Sequence, residues 1–350
     1  MTDQMTQVVL AARPEGTPKL SDFRIEHAPV PEVPAGGILI KVLWQSLDPY
    51  MRGRMDESKS YAAAVEIGGV MEAGCVGQVM RSDNPRFAEG DIVEGRFGWS
   101  SHAAVDGQGV RKVDPSLAPI QTAVGILGMP GITAYVGLLD HGRPVAGETL
   151  VVGAATGAVG TLVGQLGKIK GLRVVGVAGG AEKCAYAVDE LGFDACIDHY
   201  AHEDGRAMKE ALAAECPDGV DIYFENIAGK TLEGVIGLMN VHGRIPICGM
   251  ISQYNLPGMG MGGGKDGVNE LPRVWRTILV NRLSVRGFII TDHYDRFGAF
   301  LEEVSGYIRD GRIKYREHIV EGIENGPQTF IDMLSGGNFG KTLIKVADPA

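Results

Sequence analysis

Cysteine is scarce in this 350-residue chain, and its spacing excludes several classes of protein. The five cysteines are far apart, and no Cys-x-x-Cys pair occurs: Cys75, Cys184, Cys196, Cys216 and Cys248. A sparse, odd number of cysteines is unlike the disulfide framework of a small secreted domain. The composition therefore favours a reducing compartment, and we expect a cytoplasmic protein.

Basic clusters and long apolar segments are also lacking. The formal net charge is −10, and the densest basic patch is only the scattered group of Arg312, Lys314 and Arg316. Such a balance is a poor match for nucleic acid or an anionic membrane surface. No stretch of about 18 apolar residues occurs, and the N-terminus has no basic segment followed by an apolar one. We expect no nucleic-acid partner and no membrane association.

Glycine, by contrast, is abundant, with 51 residues spread through apolar stretches. This is about twice the average share of roughly 7%. Glycine permits tight turns and the close approach of a backbone to a ligand. The length exceeds that of most single domains, so two domains are expected.

The first 125 residues predict a β-rich domain. Short apolar runs lie between proline and glycine residues, as is typical of strands in a twisted sheet or partial barrel. The clearest runs are residues 37–43, 75–79, 90–95 and 101–105.

The pattern changes near residue 120, where a helix over 123–139 is predicted to break at Pro130-Gly131. Apolar runs then alternate with helical segments, which is the signature of parallel βαβ units. The predicted strands are 149–152, 172–177, 195–197, 220–224, 244–248 and 283–290; the predicted helices are 158–170, 181–191, 204–215 and 231–239. Residues 252–269, rich in Gly and Met, predict a long loop.

The tail contains a predicted helix over 296–310 and a final strand over 341–346. We expect this tail to return to the first domain. The predicted fold is therefore α/β, with a Rossmann doubly wound parallel sheet inserted in a β-rich catalytic domain. The catalytic domain would comprise residues 1–125 plus 300–350, and the Rossmann domain residues 126–299.

The most informative segment is the glycine-rich stretch 151–160, VVGAATGAVG. A strand enters a turn that opens a helix, and such a turn brings backbone N–H groups and a helix N-terminus to a pyrophosphate. The spacing is GxxxGxxG rather than GxGxxG, so Ala155 stands where a glycine is expected. A plain tight turn within a βα unit is the alternative.

The end of the second predicted strand indicates which dinucleotide binds. NAD sites usually place Asp or Glu there, whereas this chain has small residues followed by Lys183. A carboxylate would repel a 2′-phosphate and an ammonium group would attract it, so NADP is favoured. The alternative for Lys183 is a solvated residue that pairs with Glu182 or Glu190.

Several motifs, in order over almost the whole chain, resemble one family. They are the segments 47–52 (LDPYMR), 128–135 (GMPGITAY), 153–160, 223–226 (YFEN), 247–255 (ICGMISQYN) and 338–341 (NFGK). Together they resemble the zinc-independent medium-chain dehydrogenase/reductase superfamily, in the branch of prostaglandin, curcumin and alkenal double-bond reductases. The resemblance implies a GroES-like first domain, NADPH as cofactor, and reduction of the C=C bond of small α,β-unsaturated ketones and aldehydes.

The resemblance also implies a set of cofactor-binding residues. Gly157, Ala158 and Val159 would contact the pyrophosphate and Lys183 the 2′-phosphate, while Phe288 and Ile290 would lie near the nicotinamide amide. The other residues implied for the cofactor site are Met129, Thr133, Thr156, Gly180, Asn226, Cys248 and Asn338. A tyrosine of the family often helps to hold the 2′-phosphate, and His199 occupies that register here with Tyr200 one place later. Either could make the contact.

Hydride transfer to an enone leaves negative charge on the carbonyl oxygen, so the site needs a hydrogen-bond donor and a proton. A tyrosine hydroxyl can provide both, and the candidates are Tyr254, Tyr50 and Tyr61. Zinc chemistry needs Cys and His ligands. No cysteine has a suitable histidine partner, and the four-cysteine structural lobe is missing, so no metal site is expected.

Two other functions are compatible with these residues. One is NADPH-dependent quinone reduction, because the 252–270 loop could admit a flat substrate. The other is a non-catalytic NADPH-binding protein, since cofactor binding alone does not prove turnover. The family resemblance further implies a homodimer, with the strand 283–290 pairing across a two-fold axis.

Overall fold

The computed structural model describes residues 4–57, 60–256 and 271–349. Its contacts divide the chain into two compact units. The first contains the described residues of Met1–Gly128 and of Glu317–Ala350, with Asn255 and Leu256; the second contains those of Met129–Tyr254 and of Gly260–Arg316. The division into domains at 125/126 and 299/300 stays a prediction.

Strands and helices occur in both units. In chain order the strands are β1 Gln4–Leu10, β2 Phe23–Pro29, β3 Ile38–Ser46, β4 Gly74–Ser82, β5 Ile92–Arg96, β6 His102–Val105, β7 Arg111–Lys112, β8 Thr149–Gly153, β9 Arg173–Ala178, β10 Ala195–Asp198, β11 Val220–Phe224, β12 Met239–Ile247, β13 Ser284–Gly287, β14 Glu317–Glu321 and β15 Lys341–Lys345. The helices are α1 Met51–Arg54, α2 Met129–Val136, α3 Gly160–Ile169, α4 Ala181–Asp189, α5 Gly205–Glu215, α6 Gly229–Val235, α7 Leu271–Asn281, α8 Phe297–Arg309 and α9 Gly326–Leu334. Of the helices made of described residues, none is long and apolar enough to cross a membrane.

The first unit is β-rich, as the short apolar runs predict. Within the described residues its larger sheet has the order β14-β15-β3-β4-β5-β7, with β6 paired to β3, and β1 pairs with β2. The Trp99 ring stacks on Phe23 with centroids 5.7 Å apart and meets the edge of Phe330 at 5.7 Å. Phe330 lies on α9, so this aromatic cluster attaches the C-terminal helix to the core of the unit.

The second unit is built around a parallel sheet with the order β10-β9-β8-β11-β12-β13. Numbered from β8, this is the 3-2-1-4-5-6 order of a Rossmann domain. β8 is buried along its whole length, which explains why its sequence is apolar without alternation. The predicted fold class is confirmed. The carboxyl ends of these strands meet at one edge of the sheet, where ligands of such domains bind.

The predicted helix break at Pro130-Gly131 is wrong. These residues lie in the first turn of α2, where proline is tolerated because its missing N–H would have no intrahelical partner. Residues 120–124 form a separate 3-10 turn, and Gly137–Gly142 continue α2 as a π-helical turn. The predicted helix over 231–239 also ends early, because Met239 already begins β12.

Several elements of the tail differ from the sequence-based expectation. No strand was predicted at β14 and no helix at α7 or α9. α8, at the predicted position, lies in the second unit, where the ring of Phe300 packs against Tyr135 of α2 at 5.8 Å. Of the predicted 252–269 loop, residues 257–269 lie outside the described residues.

Candidate functional site

The glycine-rich turn after β8 is a tight structure held by its own backbone. Ala154 has a φ of +50°, and its carbonyl accepts the Gly157 N–H at 2.8 Å. A Cβ added at Gly160 would overlap the carbonyl oxygen of Ala154 and lie 2.9 Å from its carbonyl carbon and 3.0 Å from Ala155 Cα. Only glycine therefore lets α3 begin this close to the end of β8.

The departure from the GxGxxG spacing is accommodated by the neighbouring strand. The methyl group of Ala155 is fully buried and faces Gly176 of β9, where an added Cβ would lie 2.8 Å away from it. The Ala155 N–H also bonds to the carbonyl of Val177 at 3.0 Å. The side chain at 155 thus packs into the sheet, away from the open side of the turn.

The turn presents half-buried backbone at the start of α3. Gly157, Ala158 and Val159 are partly exposed, whereas Thr156 is buried. The first N–H groups of a helix have no intrahelical partner, and the helix dipole places partial positive charge beside them. This end of the turn can therefore bind an anion such as a pyrophosphate.

Asn226 and Glu225 follow β11, the strand next to β8, and stabilise the glycine-rich turn and the segment after β11. The Asn226 amide donates to the carbonyl of Gly153 at 2.8 Å, which fixes the end of β8. The buried Glu225 carboxyl accepts through Oε1 from the Tyr223 hydroxyl at 2.9 Å and from the N–H groups of Ile227 and Ala228 at 2.6 and 2.8 Å. Burial raises the pKa of Glu225, and the two backbone N–H donors act against that rise.

Glu225 was missed by sequence reasoning, which singled out only Asn226 in this segment. It supports a strained turn, because Ala228 has φ +65° and ψ −152°, a region used almost only by glycine. A non-glycine residue there has a strain of about 1–3 kcal/mol, which the surrounding contacts must offset. No sequence signal marks this strain, since alanine is not a turn residue.

A second cluster of polar residues lies where β9 and β10 end. Gly180 caps α4 with a φ of +92°, and its N–H donates to the Asp198 carboxylate at 2.8 Å. A Cβ added at Gly179 would lie 2.8 Å from Cε2 of Tyr200 and 3.0 Å from Nε2 of His199, so both rings cover this turn. Lys183 follows on α4, half-buried, and burial lowers its pKa.

Cys248 and Tyr254 follow β12. Burial, with a contribution from Glu225, raises the pKa of the Cys248 thiol to about 12. The Tyr254 hydroxyl accepts the Met250 N–H at 3.3 Å and would lie 3.0 Å from a Cβ added at Gly249. The hydroxyl is thus held at the backbone that leaves the carboxyl end of β12.

The remaining predicted cofactor residues of this unit lie on α2 and after β13. The Thr133 hydroxyl donates to the Met129 carbonyl at 2.7 Å within α2. Phe288 is buried beside the π-helical turn, where its ring would lie 2.8 Å from a Cβ added at Gly137. Ile290 is half-buried.

Tyr50, Tyr61 and Asn338 belong to the first unit. Burial, and then the Asp48 carboxylate, raise the pKa of Tyr50 well above its usual value. Tyr61 is 60% exposed, with the guanidinium of Arg54 stacked 4.4 Å from its ring centroid. The Asn338 amide donates to the Gly340 carbonyl at 2.8 Å.

Two family models match this chain. Residues 6–113 match the N-terminal domain of oxidoreductase, and residues 158–306 match the zinc-binding dehydrogenase model. Among the residues that the structure describes, no group of three or more His, Cys, Asp or Glu side chains is placed to hold a metal ion. The fold and the glycine-rich turn, taken with these matches, define a dehydrogenase/reductase of the medium-chain class.

Similar proteins locate the chain within that class. It is 47% identical over 340 residues to the NADPH-dependent curcumin reductase of Escherichia coli, covering 97% of this chain and 96% of that protein. It is 38% identical to a 2-alkenal reductase (NADP(+)-dependent) of Nicotiana tabacum, covering 97% of each chain. The solved structure of CurA in complex with NADPH from Vibrio vulnificus superposes with a TM-score of 0.91, at 45% identity over 98% of this chain and 100% of that one.

The chain therefore belongs to the zinc-independent medium-chain dehydrogenase/reductase superfamily. Within it, the chain belongs to the branch that contains the curcumin, prostaglandin and alkenal reductases.

Proposed function

We propose that this protein is an NADPH-dependent reductase of the C=C bond of α,β-unsaturated ketones and aldehydes. The observation that carries the proposal is the end of β9, where Gly179 and Gly180 stand in place of a carboxylate and Lys183 follows on α4. This arrangement suits a 2′-phosphate rather than two ribose hydroxyls. The curated relatives support it, because one is NADPH-dependent and another reduces 2-alkenals, which are α,β-unsaturated aldehydes.

The residues of the second unit fit NADPH, since the turn before α3 leaves backbone N–H groups for a pyrophosphate. Gly157, Ala158 and Val159, with Thr156 beside them, would hold the pyrophosphate. Lys183 would hold the 2′-phosphate beside Gly180, with His199 or Tyr200 as a further contact. The residues proposed to line the remaining cofactor are Met129, Thr133, Asn226, Cys248, Phe288 and Ile290, with Asn338 of the first unit. When bound, NADPH supplies the hydride that reduces the β-carbon of the enone.

Tyr254 is the proposed hydrogen-bond donor to the substrate carbonyl oxygen. Its hydroxyl accepts the Met250 N–H, and this orients the phenol and stabilises negative charge that develops on its oxygen. A hydrogen bond from Tyr254 to the carbonyl oxygen polarises the enone and stabilises the enolate that hydride addition leaves. The enolate carbon then takes one proton, from this hydroxyl or from water.

Tyr50 and Tyr61 are weaker candidates for this role. Burial beside Asp48 keeps the Tyr50 hydroxyl firmly protonated and makes it a poor acid, and Tyr61 is 60% exposed. We expect Tyr254→Phe to lower kcat by about a hundredfold, with smaller effects for Tyr50→Phe and Tyr61→Phe. A larger loss of kcat in either of the other two variants would transfer the role to that residue.

The experiment that tests the function is the oxidation of NADPH, followed by its absorbance, with a simple conjugated enone. We expect rapid oxidation with formation of the saturated ketone, and little reaction with NADH. Turnover with a quinone but not with the enone would favour a quinone reductase. Tight NADPH binding without turnover of either substrate would favour a non-catalytic NADPH-binding protein.

We also propose that the protein is a cytoplasmic homodimer that pairs through β13. Among the described strands, β13 is at the edge of its sheet, where unpaired backbone groups invite another strand. Val285 on this strand is 41% exposed, and Trp275 and Leu279 on α7 are 60% and 77% exposed. Light scattering during gel filtration should give twice the chain mass of 37.2 kDa. A particle of one chain mass would overturn this proposal.

A further inference from the structure

His199 lies where β9 and β10 end, and its ring covers the backbone of Gly179. Its Nε2 would be 3.0 Å from a Cβ added at Gly179, and its ring lies against Tyr200 with centroids 4.3 Å apart. The Tyr200 N–H and the Gly180 N–H both donate to the Asp198 carboxylate, at 3.0 and 2.8 Å. These two hydrogen bonds fix the direction in which the chain leaves β10 and hold the His199 ring over the Gly179-Gly180 turn.

A second lysine, outside the set expected from sequence, contacts the short turn that begins at His199: the His202 N–H donates to the His199 carbonyl at 3.4 Å, and Lys230 bonds to His202. Lys230 is half-buried in the first turn of α6, and its Nζ donates to the carbonyl of His202 at 2.6 Å. The pKa of His199 is lowered first by burial and then by the positive charge of Lys230, while Asp198 raises it and Lys183 lowers it further. Lysines of α4 and α6 therefore both act electrostatically on one imidazole, and the nearby carboxylate of Asp198 is already engaged by backbone donors.

We propose that His199 discriminates NADPH from NADH by taking up a proton when the 2′-phosphate binds, and that Lys230 completes the phosphate site with Lys183. This inference rests on the proposed use of NADPH. Before binding, two lysine charges and partial burial favour the neutral ring. A phosphate monoester carries about −1.5 to −2 charges at pH 7. Placed among these residues, it outweighs the lysine charges and favours the imidazolium, which donates from both ring nitrogens.

The direction of the pH dependence follows from this change. Because bound phosphate raises the pKa of His199, NADPH binding is strongest below the pKa of the ring in the free protein, and it weakens as the pH rises from there through the higher pKa of the complex. NADH has no 2′-phosphate and should show no such dependence. The other titratable groups near the ring are Lys183, whose pKa burial lowers, Lys230, Asp198 and the stacked Tyr200. Lysines, carboxylates and tyrosines ordinarily titrate outside the range from about pH 7 to 8. His202 is the other histidine of this segment and requires a control.

The test is isothermal titration calorimetry of the full-length protein with NADPH and with NADH, in two buffers of different ionisation enthalpy at about pH 7. We expect uptake of roughly half a proton or more with NADPH and none with NADH. Between about pH 7 and 8, the Kd for NADPH should rise several-fold, up to about tenfold, while the Kd for NADH stays constant. Free phosphate is mostly dianionic in this range, so its own titration contributes little.

Three histidine variants make the assignment specific. His199→Gln should abolish both the proton uptake and the pH dependence. His199→Tyr, which restores the residue usual in the family, should bind NADPH with no proton uptake. His202→Gln should retain the wild-type behaviour, because Lys230 bonds only to the backbone carbonyl of residue 202.

Lys230 has its own test with a matched control. Lys230→Met should weaken NADPH binding by about tenfold, as expected for a lost charged hydrogen bond, and leave NADH binding unchanged. Lys168→Met removes the same charge from the C-terminal end of α3, where Lys168 pairs with Asp194, and should change neither affinity.

NADPH binding by the wild-type protein without proton uptake would overturn the role of His199. So would proton uptake that persists in His199→Gln. Equal affinity of Lys230→Met and wild type for NADPH would remove Lys230 from the site. A protein that does not bind NADPH at all would instead contradict the proposed function.

Discussion

The sharpest prediction from packing concerns Gly160, in the glycine-rich turn after β8. Replacing it by alanine places a methyl group against backbone, overlapping the Ala154 carbonyl oxygen and 3.0 Å from Ala155 Cα. No flexible side chain is present to move away, so α3 must shift outward by roughly 1 Å to restore ordinary contact distances. The N–H groups proposed to hold the pyrophosphate move with it.

The expected magnitude follows from two opposing effects. Overpacking against backbone destabilises by about 1–3 kcal/mol, and alanine in place of glycine in a helix returns up to about 1 kcal/mol. We therefore expect a net loss of about 1–2 kcal/mol of unfolding free energy. A displacement of about 1 Å at a positioning element lowers activity by as much as a hundredfold, so we expect NADPH affinity to fall by about ten- to a hundredfold.

The assay compares Gly160→Ala with Gly298→Ala by thermal unfolding and by NADPH titration. Gly298 lies in the first turn of α8 with nothing within 4 Å of an added Cβ. The control should therefore be unchanged or slightly stabilised, with normal NADPH affinity. Unaltered stability and NADPH affinity in Gly160→Ala would refute the claim that this close approach requires glycine.

Three further predictions concern other parts of the site. Glu225→Ala should lower the unfolding free energy by about 3 kcal/mol or more, because three donors lose their acceptor. Glu225→Gln keeps an acceptor oxygen and should lose less. Equal losses for the two variants in chemical denaturation would contradict this role of Glu225. The pKa of the half-buried Cys248 thiol is raised to about 12, so the thiol is protonated at pH 8. Mass spectrometry should therefore find it alkylated far more slowly in the native state than after unfolding, and equally rapid labelling of the native protein would contradict the raised pKa. Lys183→Ala should weaken NADPH binding by about ten- to thirtyfold without affecting NADH, whereas an equal loss for both cofactors would indicate a structural role.

The parallel sheet could be predicted from sequence because its strands are buried on both faces. β8, β9 and β11 are short apolar runs without alternation, and each is followed by a helical segment. Local composition therefore determines both the strand type and its order of connection. The glycine-rich turn could also be recognised from sequence, since Gly157 and Gly160 fill positions where a Cβ would meet the carbonyl oxygen of Ala154.

Other features depend on the folded conformation of a segment rather than on its composition. Glu225 follows an apolar strand and resembles a solvent-facing end residue, yet the Tyr223 hydroxyl and the turn after it enclose the carboxyl group. The strain at Ala228 has no signal in the sequence, because only the closed turn imposes it. Pro130 was interpreted as a helix break, although at the start of a helix the same residue is well tolerated.

The set of charges around His199 could be found only partly from sequence. Lys183 on α4 follows β9 and His199 follows β10, and the family resemblance implied that both belong to the 2′-phosphate site. Lys230 comes from α6, and only the fold brings it into hydrogen-bond contact with His202, where its charge acts on the imidazole of His199. On the proposed assignment, cofactor discrimination would depend on tertiary packing as well as on the local residue after β9.

Isotope transfer distinguishes reduction of the C=C bond by the hydride, which we propose, from reduction of the carbonyl group. The protein is incubated with an enone and NADPH that carries deuterium at C4 on the face that is transferred, and the product is analysed by NMR. We predict deuterium on the β-carbon of a saturated ketone. Deuterium on the carbinol carbon of an alcohol that keeps its double bond would contradict the account.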